Sequence, residues 1–284
     1  MVKKYLSLIK FSHTVFALPF AIIGFCLAVY SGNAVFNWEK LLLVVACMVF
    51  ARSAAMAFNR YIDRKFDAQN PRTAIREIPA GEISAGSALW FVVLSSVAFV
   101  VCSFLINHLC FYLSPVALLV ILGYSYTKRF TPLCHLILGL GLSLAPIGAY
   151  LALTERFDTL PLIFSGIVFL WVSGFDIIYA LQDEEFDISK NLKSIPVLLG
   201  KKRALRLSEL MHLVAASAVI IAFFYGHFSW LYIVGAAIFI GLLIYQHLIV
   251  KPNDLSRVNI AFGTTNGIAS VVFGIFVCLD IFLL

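Results

Sequence analysis

Nine apolar segments, each close to the length that crosses a lipid bilayer, occupy most of this chain of 284 residues. A membrane-spanning helix needs about 20 mostly apolar residues. The segments are too evenly apolar for the alternating pattern of a membrane β-barrel. The sequence therefore predicts an all-α membrane protein of about nine transmembrane helices. The predicted spans are 14–31, 40–58, 87–106, 109–127, 133–153, 160–181, 209–225, 229–249 and 262–284.

The composition supports the same fold class. Hydrophobic residues make up 62% of the chain and charged residues only 13%, against about 25% charged residues in average soluble domains. So few polar side chains could not cover a soluble globule, which excludes a soluble enzyme, a disordered chain and a nucleic-acid-binding domain. We expect a single domain over residues 1–284, surrounded by the lipid bilayer, with no nucleic acid and no obligate protein partner.

The basic residues predict the orientation of the spans. If the N-terminal segment and every second connection after it are assigned to one side, that side holds 18 of the 21 Lys and Arg residues. The opposite side holds Lys40 and Arg156, and Arg52 lies within a predicted span. By the positive-inside rule the basic side is cytoplasmic. The N-terminus is then predicted to lie inside and the C-terminus outside.

Two acidic clusters follow predicted helices two and six on the cytoplasmic side. The first contains Asp63 and Asp67, and the second contains Asp183 and Asp187. On a helix a spacing of four residues places both carboxylates on one face, about 5–6 Å apart at Cβ, where their charges repel. One such pair is typical of a solvated helix end, but two pairs in equivalent positions indicate a site between two similar helical halves. Mg²⁺ commonly bridges one or two carboxylates to a phosphate, so the pairs predict a metal-bound diphosphate.

Further charged residues accompany these clusters. Arg52 and Asp176 lie inside predicted spans, seven residues before Asn59 and Asp183 respectively. A charged residue within a span is costly and faces a cavity far more often than lipid. Basic side chains beside the clusters are candidates for phosphate contacts, because Arg binds phosphate oxygens through two nitrogens and Lys supplies a point charge. The basic candidates are Arg64, Arg72, Lys128 and Lys193.

Three stretches of the chain resemble the UbiA superfamily of intramembrane aromatic prenyltransferases. They are NRYIDRKFDAQNPRTAIREIPAG (59–81), YSYTKRFTPLCHLILG (124–139) and DIIYALQDEEFDISKNLKSIPVLLG (176–200), which contain the first Asp motif, 59–67, and the second, 176–187. The resemblance implies nine transmembrane helices around a central cavity with cytoplasmic caps, in a bacterial inner membrane.

The resemblance also implies roles for individual residues. Two magnesium ions would be held against an allylic polyprenyl diphosphate, and basic side chains would contact its phosphates. Tyr124 would face the reacting carbons, and Tyr179 is expected to contact substrate. The implied metal ligands are Asn59, Asp63, Asp67, Asp183 and Asp187, and the implied phosphate contacts are Arg64, Arg72, Lys128 and Lys193.

The implied reaction is magnesium-dependent transfer of a polyprenyl group to a hydroxylated aromatic carboxylate in respiratory quinone biosynthesis. We expect 4-hydroxybenzoate as the acceptor, with 1,4-dihydroxy-6-naphthoate as the alternative. Arg60 replaces the Asp of many members, and the segment 76–81 also departs from the pattern of 4-hydroxybenzoate enzymes. Both variants resemble the branch that makes menaquinone through futalosine.

The remaining assignments stay open at the level of the sequence. Arg52 or Arg72 would bind the carboxylate of the acceptor, with His13 and Asn266 as weaker candidates. The base that removes the ring proton would be Asp176 or one of the clustered carboxylates. A transporter of an anionic or lipid-like substrate is the rival from another class. Broken helices and buried charges near the membrane midplane would favour it.

Overall fold

The computed structural model describes residues 2–9, 16–32 and 34–284. The described residues form eleven α-helices, with a 3₁₀ turn at Leu181–Asp183 and a π-helical turn at Ile260–Thr265. The helices are α1 (Val2–Leu8), α2 (Leu18–Tyr30), α3 (Trp38–Asp67), α4 (Ala85–Ile106), α5 (His108–Thr127), α6 (Cys134–Thr154), α7 (Thr159–Ala180), α8 (Glu184–Ser189), α9 (Ile195–Tyr225), α10 (Trp230–Ile249) and α11 (Asn266–Leu283).

Eight of the helical segments are long and apolar enough to cross a membrane, counting only the described residues. This confirms the predicted all-α membrane fold. The sequence predicts nine spans, and the predicted span that is not among these eight is the first. Within the described residues that span is α2, with 13 residues, or about 20 Å at 1.5 Å per residue. Pro19 lies in its first turn, where a missing N–H costs nothing and where proline is therefore common. Its predicted start at 14 lies outside the described residues.

The core of the bundle is aromatic. Phe20 of α2 is fully buried, with its ring 5.3 Å from Trp171 and 6.0 Å from Phe273. Large apolar side chains on α4, α5, α9 and α10 are instead exposed on the outside of the bundle. An apolar surface of this extent marks contact with a membrane, so the short α2 is an interior helix surrounded by lipid-facing ones.

Small residues allow the closest helix contacts. A Cβ atom on Gly24 would overlap the backbone carbonyl of Pro146, where α2 crosses α6. A Cβ atom on Gly139 would overlap Ser173, where α6 crosses α7. Membrane helices pack mainly through such close backbone approaches, because lipid tails are as apolar as the side chains. These contacts hold α2, α6 and α7 together beside the site.

The first Asp motif occupies the last turns of a long helix. With 30 residues, α3 is about 45 Å long, which exceeds the hydrocarbon thickness of about 30 Å. Its C-terminal turns therefore extend to one polar end of the bundle, which we call the site end. Asp63 and Asp67 lie on this α-helix, as predicted.

The second Asp motif does not lie on one continuous α-helix, the setting in which the spacing of Asp183 and Asp187 predicts stacked carboxylates. The 3₁₀ turn ends at Asp183, and α8 begins at Glu184. Three consecutive acidic residues are unfavourable at the negative C-terminal end of a helix dipole and favourable at a helix N-terminus. The chain therefore ends α7 before them and places them at the start of α8.

Residues 182–208, which connect the predicted spans 160–181 and 209–225, are also largely helical. Helix α9 starts at Ile195, and Gly200 interrupts it with a positive φ of 73°. The Lys, Arg, Ala and Leu residues that follow Gly200 have high helix propensity, so the basic run belongs to a helix that precedes the predicted span 209–225.

Asn266 was a weak candidate for substrate binding, and the structure corrects this. Its fully buried side chain lines neither the polar cavity at the site end nor the apolar cavity beside it. Its Oδ1 accepts hydrogen bonds from Trp171 Nε1 and from Gln246 Nε2, both at 2.8 Å. Its Nδ2 donates to the carbonyls of Ala261 and Phe262, both at 3.0 Å. Asn266 therefore joins the π-helical turn to α7 and α10.

Replacing Asn266 by Leu should lower stability without a direct effect on chemistry. The variant leaves two buried donors and two carbonyls without their partner, and an unsatisfied buried donor costs about 1–3 kcal/mol. We expect the free energy of unfolding to fall by about 2–4 kcal/mol, measured as a lower melting temperature in detergent. Asn259→Leu is the matched control, because Asn259 is exposed just before the same turn. Equal melting temperatures for the two variants would contradict the role of the network.

Candidate active site

A polar cavity of about 170 Å³ lies at the site end, where α3, α5 and α7 meet. Residues from both Asp motifs line it together, although the motifs are more than a hundred positions apart in sequence. The two clusters, predicted to form one site, therefore line one cavity. The predicted residues in its lining are Asn59, Asp63, Asp67, Arg72, Tyr124, Lys128, Asp176, Tyr179, Asp183 and Asp187.

Each of the four motif carboxylates, Asp63, Asp67, Asp183 and Asp187, is paired with its own basic side chain. The expected repulsion within each cluster is thus relieved by separate cations. All four cations come from outside the two Asp motifs. The pairs are Arg129 with Asp63 at 2.9 Å, Arg76 with Asp67 at 2.7 Å, Arg72 with Asp183 at 2.6 Å and Lys128 with Asp187 at 2.7 Å.

Arg72 connects the first connecting segment, 68–84, to the second motif. Its Nε and Nη2 donate to the two oxygens of Asp183 at 3.1 and 2.6 Å, and its Nη1 donates to the Tyr179 hydroxyl at 3.0 Å. Asn70 Nδ2 adds a bond of 3.3 Å to Asp183. Burial alone would lower the pKa of Arg72, but Asp183 and Tyr179 raise it above its ordinary value. The guanidinium therefore stays charged.

Lys128 forms the second cross-link, to the most buried motif carboxylate. Asp187 is 1% exposed, and the Lys128 side chain is 31% exposed. Burial alone would lower the pKa of Lys128, but the attraction of Asp187 and their hydrogen bond raise it above its ordinary value. A raised lysine pKa stabilises the fold below the pKa of the unfolded chain, and this is lost only as pH rises through the folded value. The pair is therefore intact at neutral pH.

Unequal burial predicts unequal effects of breaking this pair. Lys128→Met leaves a buried carboxylate without its cation, and we expect a loss of about 3 kcal/mol of unfolding free energy. Asp187→Asn leaves a lysine that can reach water, so about 1 kcal/mol is expected. The double variant should recover most of the lysine loss, since no buried charge is left alone. Melting temperatures of the three variants measure this coupling, and strictly additive losses would contradict it.

Asp67 Oδ2 and Asp187 Oδ1 are among the buried carboxylate oxygens of the site that have no hydrogen-bond partner. In the part of the chain that is described, no three His, Cys, Asp or Glu side chains are close enough to hold an ion by themselves. An ion here must complete its coordination with other oxygens. That suits a hard cation such as Mg²⁺, which keeps water and phosphate oxygens as ligands.

A larger apolar cavity of about 350 Å³ adjoins the polar one. It lies between α3, α5 and α6, and Tyr124 lines both cavities. Arg52 also lines it, and its buried Nε has no hydrogen-bond partner. A guanidinium in an apolar cavity is stabilised by an anion, so the surroundings of Arg52 are suited to an anionic group.

Three other predicted residues do not reach the cavities or are not described. Arg64 Nη1 donates to the Tyr61 carbonyl at 2.6 Å, and its guanidinium lies 4.4 Å from the Tyr61 ring. It follows Asp63 by one position, so it projects about 100° around the helix from that carboxylate. Lys193 Nζ donates to the Phe130 carbonyl at 3.2 Å, and neither cation lines the polar cavity. His13 lies outside the described residues.

Among the residues that line the polar cavity, four that the sequence did not single out bind its carboxylates through their side chains. Arg129 follows Lys128, and Asn70 and Arg76 lie in the segment after the first motif. Their positions on the basic side were visible, but nothing separated them from the other cations there. His135, in the first turn of α6, was marked only by being an ionisable residue within a predicted span, a signal that names no partner.

A bundle of spanning helices that joins a carboxylate-lined cavity to an apolar one is the arrangement of an intramembrane enzyme. The chain belongs to the UbiA prenyltransferase family, which it matches over residues 17–273. Catalysis by this chain is therefore prenyl transfer.

Relatives and solved structures agree with this assignment. The 4-hydroxybenzoate octaprenyltransferase of Aliivibrio fischeri (strain MJ11) is 31% identical over 242 residues, or 84% of this chain and 82% of the relative. That of Aeromonas salmonicida (strain A449) is 32% identical over 248 residues, covering 83% and 81%. The apo structure of a UbiA homolog from Aeropyrum pernix K1 is 33% identical with a TM-score of 0.85, covering 94% of this chain and 98% of that one.

A more distant neighbour shares the fold. This UbiA homolog from Archaeoglobus fulgidus, whose structure contains GPP and Mg²⁺, is 19% identical with a TM-score of 0.75, covering 98% of this chain and 99% of that one.

Proposed function

We propose that this enzyme transfers a polyprenyl group from an allylic polyprenyl diphosphate to a hydroxylated aromatic carboxylate, with 4-hydroxybenzoate as the first candidate. The observation that carries the proposal is the junction of the two cavities at Tyr124. A diphosphate suits the charged cavity, an isoprenoid chain suits the apolar one, and the carbon between them then lies beside Tyr124. The relatives named as 4-hydroxybenzoate octaprenyltransferases support the acceptor.

Magnesium is the proposed cofactor, with two ions. Asn59 and the four motif carboxylates would hold it, since they line one cavity and some of their buried oxygens lack partners. When bound, Mg²⁺ neutralises the charge that develops on the departing diphosphate. The structure of the Archaeoglobus fulgidus homolog, which is bound to GPP and Mg²⁺, supports this proposal.

The basic side chains of the polar cavity would move from carboxylates to phosphates. Arg72 and Lys128 each neutralise a carboxylate at the site. When that carboxylate instead binds a metal ion, the same side chain is free to donate to a phosphate oxygen. Such charge-assisted hydrogen bonds are strong. Electrostatic stabilisation of the leaving group in a dry cavity is often the largest catalytic contribution. The apolar cavity would keep water from the allylic cation until the phenol ring attacks it.

Arg52 is the proposed partner of the acceptor carboxylate. Of the two candidates, Arg72 already binds Asp183 and Tyr179 at the diphosphate end, whereas Arg52 lies in the apolar cavity. A hydroxylated aromatic acid with its carboxylate on Arg52 would place its ring near Tyr124, which lines the same cavity.

The proposed location is the inner membrane of a bacterium, with the N-terminus and the site end cytoplasmic and the C-terminus outside. Support comes from the strong excess of Lys and Arg on one side of the predicted spans. Both substrates would then be taken from the cytoplasmic side, and the prenylated product would leave into the lipid.

A direct assay tests the proposed function. The purified protein in lipid receives a radiolabelled polyprenyl diphosphate with Mg²⁺ and either 4-hydroxybenzoate or 1,4-dihydroxy-6-naphthoate. Magnesium-dependent prenylation of the first is expected, and the second is the alternative that Arg60 and the segment 76–81 favour by resemblance. If the folded protein forms no product with either acceptor, the proposal is overturned, and a transporter becomes the remaining candidate.

A further inference from the structure

Asp176 differs from the four motif carboxylates of the polar cavity in the kind of partner it has. Each motif carboxylate faces an Arg or a Lys, whereas Asp176 Oδ2 lies 2.7 Å from Nδ1 of His135. His135 is 2% exposed, and the Asp176 side chain keeps 20% exposure where it lines the cavity. Asp176 is therefore held by an imidazole, while the four motif carboxylates are held by Arg or Lys side chains.

The hydrogen bonds of His135 assign its proton. The backbone N–H of Ile195 donates to His135 Nε2 at 3.3 Å. Ile195 is the first residue of α9, so this N–H is one of the donors that a helix start cannot satisfy internally. A ring nitrogen that accepts a hydrogen bond carries no proton, which leaves the proton of a neutral imidazole on Nδ1. Nδ1 therefore donates to Asp176 Oδ2.

Asp176 also lies deeper in the bundle than the second motif. It precedes Asp183 by seven residues, and a helical path of that length through the last turn of α7 and the 3₁₀ turn rises by about 10 Å. Asp176 lines the polar cavity together with Tyr124, the residue shared with the apolar cavity. Asp176 therefore lies near the junction where the new carbon–carbon bond would form, and the motif carboxylates lie toward the diphosphate.

We propose that His135 is a positioning residue that holds Asp176 as the acceptor of the ring proton. The proposal rests on the proposed function and assigns one step of it. After the allylic carbon bonds to the ring carbon, the C–H electron pair at that carbon restores the aromatic ring. The proton goes to Asp176 Oδ1, while Oδ2 keeps its hydrogen bond from His135. The diphosphate has already left with the electron pair of the broken C–O bond, so no oxidant or reductant is needed.

Two measurements on the full chain in lipid separate this step from the one before it. The isotope effect of an acceptor deuterated at the reacting ring carbon reports proton removal. Scrambling of isotopic oxygen between bridging and non-bridging positions of the allylic diphosphate, measured without acceptor, reports C–O cleavage. His135→Leu should lower prenylation by about 10- to 100-fold, within the range of general-base effects. Its isotope effect should rise well above that of the wild type, with scrambling unchanged.

His135→Asn is the rescue variant, because its amide nitrogen can replace Nδ1 as the donor to Asp176, and it should recover most of the rate. His212→Asn is the matched control: this buried imidazole bonds to His247 at 2.9 Å and lines neither cavity. It should leave the isotope effect and the scrambling unchanged. Should His135→Leu unfold, Asp176→Asn carries the same test, with a larger loss of prenylation at unchanged scrambling.

An unchanged isotope effect in His135→Leu, or scrambling that falls in parallel with prenylation, would overturn the proposal and leave His135 a purely structural role. A wild-type protein that neither scrambles nor prenylates fails earlier, at the proposed function itself. Scrambling without prenylation in the wild type would overturn only the acceptor assignment, and the test is then repeated with the naphthoate.

Discussion

Asp63→Ala and Asp183→Ala are each expected to lower the rate of prenyl transfer by about a thousandfold, the equivalent of about 4 kcal/mol in the barrier. Each variant removes a proposed metal ligand from one of the two Asp motifs, which line one cavity. Because leaving-group stabilisation needs both sides of the diphosphate, one motif should not compensate for the other. Initial rates with radiolabelled polyprenyl diphosphate, measured across a magnesium titration, give the result.

The fold should survive both substitutions. The partners that lose their carboxylates, Arg129 and Arg72, have side chains 28% and 34% exposed, so they can turn to water. Glu185→Gln is the matched control, since this carboxylate belongs to the same acidic run but is 90% exposed and lines neither cavity. It should keep wild-type activity. A Glu185→Gln loss as large as that of Asp183→Ala would contradict a specific role for the motif, and full activity in either alanine variant would remove that residue from the metal site.

The sequence was sufficient to predict which carboxylates share a site, but not what neutralises them. Asp63 and Asp67 are marked by their spacing and by their repetition at Asp183 and Asp187, a signal that survives without any knowledge of helix packing. Cations carry no such mark. The basic side holds many Lys and Arg residues, and only the packing of α3 against α5 decides that Arg129 reaches Asp63 at 2.9 Å.

The prediction of helix ends failed where charge and backbone compete. Apolar length predicts where a helix crosses lipid, but beyond the lipid the chain follows helix dipoles and single glycines. The acidic run after α7 therefore starts a new helix at Glu184, and the left-handed Gly200 divides α9. The role of His135 could not be predicted from the sequence, because it depends on two partners, Asp176 and Ile195, that only the fold brings to it.

Arg52→Met should remove the enzyme's preference for an acceptor that carries a carboxylate. In the wild type the carboxylate of 4-hydroxybenzoate would pair with a guanidinium in an apolar cavity, and breaking a buried charge pair costs at least about 2 kcal/mol, or roughly 30-fold in KM. Phenol lacks the carboxylate, so its reaction should change little. The ratio of kcat/KM values for the two acceptors is the measurement, since it cancels any general effect on the fold.

Arg72→Met separates this assignment from the rival one. Arg72 binds Asp183 and Tyr179 in the polar cavity, so its loss should raise the KM for the allylic diphosphate and preserve the preference for 4-hydroxybenzoate over phenol. If Arg72→Met abolishes that preference and Arg52→Met keeps it, the acceptor carboxylate binds at the diphosphate end. The ring would then lie reversed in the apolar cavity, with its reacting carbon away from Asp176, so this one ratio also decides whether the proposed base can reach its proton.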